Sequence, residues 1–137
     1  MTEADPLIEN AHAWLLAQPQ PGVRYLALRN LAGLPENHAD LVAARNAAYA
    51  EGPIAAVLSA MQPDGFWVAP GPGYHPKYTS TVWALILLAQ LGAHISHEPR
   101  LKNACAYLLD HALTENGLFS VNGSPSQTID CLQGNLC

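Results

Sequence analysis

The sequence has 137 residues, half of them hydrophobic and 12% charged, and six Lys and Arg against eleven Asp and Glu give a formal net charge of −5. The length suits a single domain spanning residues 1–137 with a core of its own. So few basic residues, with no basic stripe, argue against nucleic acid as a partner. Because a typical soluble domain is about 25% charged, we expect either that some apolar surface contacts a partner or that the chain is one piece of a larger body.

The sequence lacks the patterns of a signal peptide and of a membrane span. Its N-terminal segment, MTEADPLIEN, is acidic where a signal peptide is basic. The longest wholly apolar run, residues 82–89, is far shorter than the roughly 20 residues needed to cross a bilayer. The cysteines Cys105, Cys131 and Cys137 are odd in number and lack CxxC spacing, which favours a reducing compartment. We therefore expect a cytoplasmic protein without a membrane span.

Four helices are predicted in the N-terminal half, each delimited by proline or glycine. Asp5 and Pro6 form a favourable helix start, with Asp as the cap and Pro at the first helical position. The QPQPG segment at 18–22 breaks this helix, and Gly33 is a natural residue just past the end of the next one. The predicted helices span residues 6–17, 23–31, 39–50 and 53–61.

Two turns separate the helices predicted in the C-terminal half. In Pro63-Asp64-Gly65, Pro presets its own φ, Asp bonds locally and Gly accepts a positive φ. Asn116-Gly117 turns the chain a second time. The predicted helices span residues 81–91 and 99–113, and a last one starts at about residue 128.

The helical periodicity predicts an all-α fold in two layers. Sustained period-2 alternation is absent, and the one strand candidate, residues 118–121, is too short. The helix at 81–91 is apolar on every side, which indicates burial all round, whereas the helix at 99–113 is amphipathic. Alternating inner and outer helices predict an outer layer around an inner one. The apolar stripe of the amphipathic helix consists of Leu101, Ala104, Cys105, Leu108 and Ala112.

An internal repeat with a period of about 50 residues follows from aligning the glycines. Gly117 lies 52 residues after Gly65, and the same offset pairs Trp67 with Phe119. Gly22 lies 43 residues before Gly65, so three units of outer helix, turn and inner helix fit the chain. The third inner helix has few residues before Cys137, so we expect a domain truncated at its C-terminus.

The segment LSAMQPDGFW, which ends at Trp67, resembles the QW repeat of squalene–hopene cyclases. PDGFW followed by YTSTVWALILLAQLG is similar to a helical hairpin of the terpenoid cyclase and protein prenyltransferase α/α-toroid superfamily, and SQTIDCLQGNLC resembles the start of another inner helix. The resemblance implies an N-terminal fragment of such a toroid, an incomplete ring of outer and inner helices around an apolar cavity.

The resemblance also implies structural roles for residues of the two turns. Gln62 would tie its turn to a helix end, and Trp67 would pack between neighbouring units. Asp64 and Gly65, with Asn116 and Gly117 in the second copy, would shape the turns.

The sequence departs from the catalytic patterns of these families. An Asp-rich protonation motif is missing, and Asp130-Cys131 does not have the zinc-ligand spacing of prenyltransferases. Cys105, Cys131, Cys137 and His111 match no zinc finger or ribbon spacing. No metal site, cofactor or catalytic residue is predicted.

Candidate ligand-binding residues flank the start of the helix at 81–91. His75, Lys77 and Tyr78 precede the candidate caps Thr79, Ser80 and Thr81, where a helix N-terminus and a lysine could hold a phosphate or carboxylate; the alternative is a solvated loop. Trp83 could line an isoprenoid cavity, or it could be a core residue.

Three functional hypotheses remain open from the sequence. The chain is enzyme-derived, a toroid domain binding an apolar isoprenoid-type ligand; or it is a non-catalytic helical scaffold for protein or lipid partners; or it self-associates through inner-helix faces around Trp83, Leu87 and Leu136. Another helical solenoid or an (α/α) barrel is the alternative fold.

Overall fold

The computed structural model describes residues 6–136, and this part of the chain is all-α, as predicted. The described residues also form two isolated antiparallel β-bridges, one between Leu113 and Phe119 and one between Ser120 and Thr128. The helices are α1 (Pro6–Leu16), α2 (Pro21–Asn30), α3 (Ala39–Ala50), α4 (Pro53–Ser59), α5 (Thr81–Gln90), α6 (Arg100–Ala112) and α7 (Asp130–Leu136), with a 3₁₀ turn at Pro125–Gln127 before α7.

The helix boundaries agree with the sequence prediction to within about two residues, and the differences have local causes. α2 begins at Pro21, earlier than predicted, because a proline fits the first helical position. α7 begins only at Asp130, since Thr128 pairs with Ser120 instead. The predicted cap Asp5 lies outside the described residues.

The chain divides into two compact units, Met1–Ala56 and Val57–Cys137. In the first, α2 packs against both α1 and α3. Tyr25 and Leu41 are its most deeply buried large side chains on these helices. α1 contributes no buried residue, and Trp14 on it is 63% exposed.

The second unit is built around α5 and α6, which pack against each other. Its helices and loops share one apolar cluster, consisting of Tyr74, Val82, Leu108, Ala112, Phe119 and Leu132. Phe119 lies in the segment before α7, and Leu132 lies on α7. Because both belong to this cluster, the C-terminal part of the chain shares a core with α5 and α6. This unit contains every residue of the predicted turns and ligand site.

Two details of the predicted layers are wrong. α5 is not buried all round: it buries Thr81, Val82, Ala84 and Leu88, but Leu87 is 40% exposed. On α6, Leu101, Ala104, Leu108 and Ala112 are buried as expected, but Cys105 is exposed. Periodicity places Cys105 at the edge of the stripe, where α5 does not cover it.

Candidate functional site

The turn that follows α4 is fixed by a small set of hydrogen bonds. Gln62 N donates to Phe66 O at 2.8 Å, and Gly65 N donates to Gln62 O at 2.9 Å. Gly65 has φ +92°, a conformation that glycine adopts without steric cost. Just past the turn, Trp67 N donates to Thr81 Oγ1 at 3.1 Å. This bond ties the turn to the first residue of α5.

The turn that follows α6 has the same hydrogen bonds at positions 52 residues further on. Thr114 N donates to Leu118 O at 2.9 Å, and Gly117 N donates to Thr114 O at 2.9 Å, with φ +74° at Gly117. Phe119 N then donates to Gln133 Oε1 at 2.8 Å. In both turns, the backbone N–H of the aromatic residue donates to a side chain 14 residues further along the chain, on the α-helix that follows the turn.

The two turn glycines have different surroundings. A Cβ added to Gly65 would lie 3.0 Å from the backbone N and Cα of Ala104, so this turn lies directly on α6. A Cβ added to Gly117 would meet nothing within 4 Å. Asp64 and Asn116, which precede the glycines, are both exposed. The first turn therefore depends on a close approach of backbones that the second lacks.

Trp67 and Gln62 connect the first turn to α4 in different ways. Trp67 is 2% exposed, and its indole Nε1 donates to Val57 O of α4 at 2.8 Å. The Gln62 side chain is exposed, and its Nε2 lies 3.4 Å from Ala60 O, just past the end of α4. At that distance the contact is long for a hydrogen bond, so Trp67 is the stronger link.

The four predicted ligand residues come together around the buried ring of Tyr74. The ring centroids of His75 and Trp83 lie 5.0 and 5.3 Å from that of Tyr74. Lys77 Nζ lies 5.5 Å above the same ring, within the range of a cation–π contact. Tyr78, which is 75% exposed, has its ring centroid 5.1 Å from that of Trp83.

The start of α5 is held by its loop and not by a side-chain cap. Ser80 occupies the N-cap position without a capping hydrogen bond. Its buried hydroxyl instead donates to Gly73 O at 2.6 Å and Pro76 O at 2.8 Å. Trp83 Nε1 donates to Tyr74 O at 2.8 Å. These bonds fold the loop onto α5 and fix the aromatic cluster.

An apolar cleft of about 370 Å³ opens among α5, α6 and α7. Its walls are formed mainly by aliphatic side chains from all three helices and by the segment after α5. Trp83, His75, Lys77 and Tyr78 are not among its lining residues. The main lining residues are Leu85, Ile86, Ala89, Cys105, Leu109 and Leu136.

Charged and sulfur groups near the cleft have identified environments. Arg100 holds Glu98 through two side-chain contacts of 2.8 and 2.7 Å, and this hydrogen bonding lowers the pKa of Glu98 and raises that of Arg100. The Cys105 thiol is partly desolvated by the protein around it, and this desolvation raises its pKa. Within residues 6–136, no three His, Cys, Asp or Glu side chains converge as a metal site would require.

The remaining candidates for chemistry have structural partners. Tyr107 Oη accepts a hydrogen bond from Gly71 N at 2.8 Å. The His111 ring stacks on the Tyr107 ring with centroids 3.9 Å apart, and its Nδ1 lies 2.8 Å from Tyr107 O. Cys131 is exposed, and Cys137 lies outside the described residues. Tyr107 and His111 thus support the loop after the first turn.

The sequence analysis identified neither the side chains that bind the two turns nor the residues that line the cleft. Thr81 was expected only as a possible cap, and Gln133 was not singled out. The available signal was their spacing, since each follows its aromatic partner by 14 residues. The cleft could have been sought on the apolar second half of α5, where Leu85 and Ala89 lie.

Comparisons with known protein families, curated proteins and solved structures find no match for this chain. Among the described helices, none combines the length and apolar character needed to cross a membrane.

Proposed function

We propose that the chain is built from α/α-toroid-type hairpins, similar to those of terpenoid cyclases and protein prenyltransferases, and that it binds an apolar isoprenoid-type ligand. The observation that carries the proposal is the shared hydrogen-bond pattern of the turns at Gln62 and Thr114. In each, a glycine turn is followed by an aromatic residue whose amide binds the next helix. This supports two equivalent units of outer helix, turn and inner helix, as in such toroids.

The apolar cleft supports the ligand-binding part of the proposal. Ligand pockets have volumes from about 300 Å³ upward and are lined mainly by apolar side chains. The cleft among α5, α6 and α7 has about 370 Å³ and a mostly aliphatic lining. An isoprenoid chain gains free energy when it leaves water for such a surface, at about 25 cal/mol per Å² buried.

Native mass spectrometry of the purified protein with farnesol tests this proposal. A one-to-one complex is expected with farnesol and none with glucose, a polar compound that is smaller than farnesol and so is not excluded by size. The absence of any farnesol complex under conditions that preserve the folded protein would contradict ligand binding. Incubation with farnesyl diphosphate is expected to give no product, since the proposal assigns binding and no chemical step.

Self-association is the second candidate function, and the exposure of apolar side chains favours it. Leu87 is 40% exposed, Leu109 49% and Leu118 44%, and contiguous patches of such residues mark interaction surfaces. We expect dimers or larger species in sizing chromatography with light scattering at micromolar concentration. Leu87→Lys is expected to reduce them, and a monomer that excludes hydrophobic dyes would contradict this candidate.

A further inference from the structure

We propose that the cleft among α5, α6 and α7 holds a single uncharged carbon chain and excludes a charged head group. The inference rests on the proposed function, because it names the place and the chemical class of the apolar ligand. It differs from the sequence expectation, which put the ligand beside Lys77 and Trp83.

The size of the cleft sets the length of the chain. An apolar cavity of about 150 Å³ accepts one benzene. The cleft has about 370 Å³, so it has room for roughly two to three such rings, or on the order of ten to fifteen carbons.

The chemistry of the walls selects an uncharged ligand. No Lys, Arg, Asp or Glu is found among the described residues that line the cleft. The two polar lining residues have hydrogen-bond partners: His94 Nδ1 lies 2.8 Å from Ser96 Oγ, and Asn135 Nδ2 donates to Cys131 O at 2.7 Å. A carboxylate or diphosphate placed here would lose its hydration without a Lys or Arg to compensate its charge.

Arg100 and Lys102, the basic residues on either side of the lining residue Leu101, do not supply that compensation, because neither lines the cleft. The guanidinium of Arg100, at the start of α6, forks onto the Glu98 carboxylate at 2.8 and 2.7 Å. Lys77 is directed to the ring of Tyr74. A ligand whose charged head group enters the cleft therefore meets no Lys or Arg among its described lining residues, and we expect it to bind more weakly than its uncharged analogue.

Cys105 provides a reporter in the wall, and Cys131 provides its internal reference. Both thiols are exposed, but only Cys105 lines the cleft. The Cys137→Ser protein would be labelled with a thiol reagent, and each site followed by peptide mass spectrometry. With 1-dodecanol at about ten times its Kd, labelling of Cys105 should slow by about tenfold, while that of Cys131 stays unchanged. Dodecanoate, with the same chain length and a charged head, should protect neither.

A matched pair of variants tests the same assignment by binding. Cys105→Phe would fill the cleft and should abolish the 1-dodecanol complex in native mass spectrometry, while Cys131→Phe should retain it. Should Cys105→Phe fail to fold, the labelling of native Cys105 decides.

The failures of the two proposals are distinguishable. Farnesol binding without protection of Cys105 would overturn the assignment of the cleft and leave the proposed function standing. Binding of neither alcohol would overturn both. Equal protection by dodecanoate and 1-dodecanol would overturn the selection against charge.

Discussion

The side-chain amide of Gln133 binds both backbone polar groups of Phe119. Gln133 Oε1 accepts from Phe119 N at 2.8 Å, and Gln133 Nε2 donates to Phe119 O at 2.7 Å. The Gln133 amide thus makes the two hydrogen bonds that a residue of a neighbouring β-strand would make with Phe119, and it fixes α7 to the turn after α6. Thr81 makes the simpler version of this contact, since its hydroxyl binds only the amide of Trp67.

Loss of the double contact should destabilise the second unit. Gln133→Ala removes two partly buried hydrogen bonds, each worth about 0.5–1.5 kcal/mol, so we expect a loss of about 1–3 kcal/mol in the free energy of unfolding. Urea unfolding followed by tryptophan fluorescence measures it. Asn135→Ala is the control, because that amide bonds only to Cys131 O of its own helix. Equal effects of the two substitutions would count against the role of Gln133.

Replacing the hydroxyl of Thr81 should release the amide of Trp67. Thr81 is fully buried, and Thr81→Val keeps its shape but leaves the Trp67 N–H without its acceptor, which costs about 1–3 kcal/mol. Amide hydrogen exchange at Trp67 is expected to accelerate by about tenfold or more. Thr81→Ser keeps the acceptor and should leave this exchange near the native rate. If Val and Ser accelerate exchange alike, the hydrogen bond is not what protects Trp67.

Alanine substitutions in the two turn glycines should have unequal costs. Both positions have positive φ, which costs a non-glycine residue about 1–2 kcal/mol. Gly65→Ala also forces its Cβ against the backbone of Ala104 at 3.0 Å, and such overpacking adds about 1–3 kcal/mol. Gly117→Ala meets nothing within 4 Å and should cost only the φ strain. Thermal unfolding of both variants is the measurement, and equal losses would refute the close contact between the first turn and α6.

The ion pair of Glu98 and Arg100 should make stability depend on pH. Hydrogen bonding to Arg100 lowers the pKa of Glu98 from its ordinary value of 4.5, so its contribution is complete above that value and is lost as pH falls through the lowered one. Because Arg100 is largely exposed, Arg100→Gln should cost only about 0.2–1 kcal/mol near neutral pH. Unfolding at a series of pH values should show the deficit vanish in acid. Lys102→Gln serves as the control, and a deficit independent of pH would contradict the assignment.

The sequence was sufficient for the helices because their limits are local. The start of α3 at Ala39 and its end at Ala50 agree with the prediction, and Pro53 marks the first residue of α4 as predicted. Such signals depend on the backbone angles that proline and glycine favour and on the N–H group that proline lacks. These properties belong to the residue itself and are the same wherever it lies in the fold.

The contacts that define the candidate site were less predictable because they join distant residues. Hydropathy of α5 indicates how much apolar surface there is, but not which side faces α6, so the burial predicted for every side of this helix was wrong. Likewise, the position of Cys105 on its helix did not reveal that it borders a cleft. Gln133 resembles any exposed helical glutamine until Phe119 is placed beside it.

Titration of the ¹⁵N-labelled protein with farnesol, followed by amide chemical shifts, tests the central claim most directly. The account predicts saturable shifts confined to α5, the segment that follows it, α6 and the end of α7, including the amides of Leu85, Cys105 and Leu136. Absence of saturable shifts, or shifts spread evenly over the helices of Met1–Ala56 as well, would contradict it.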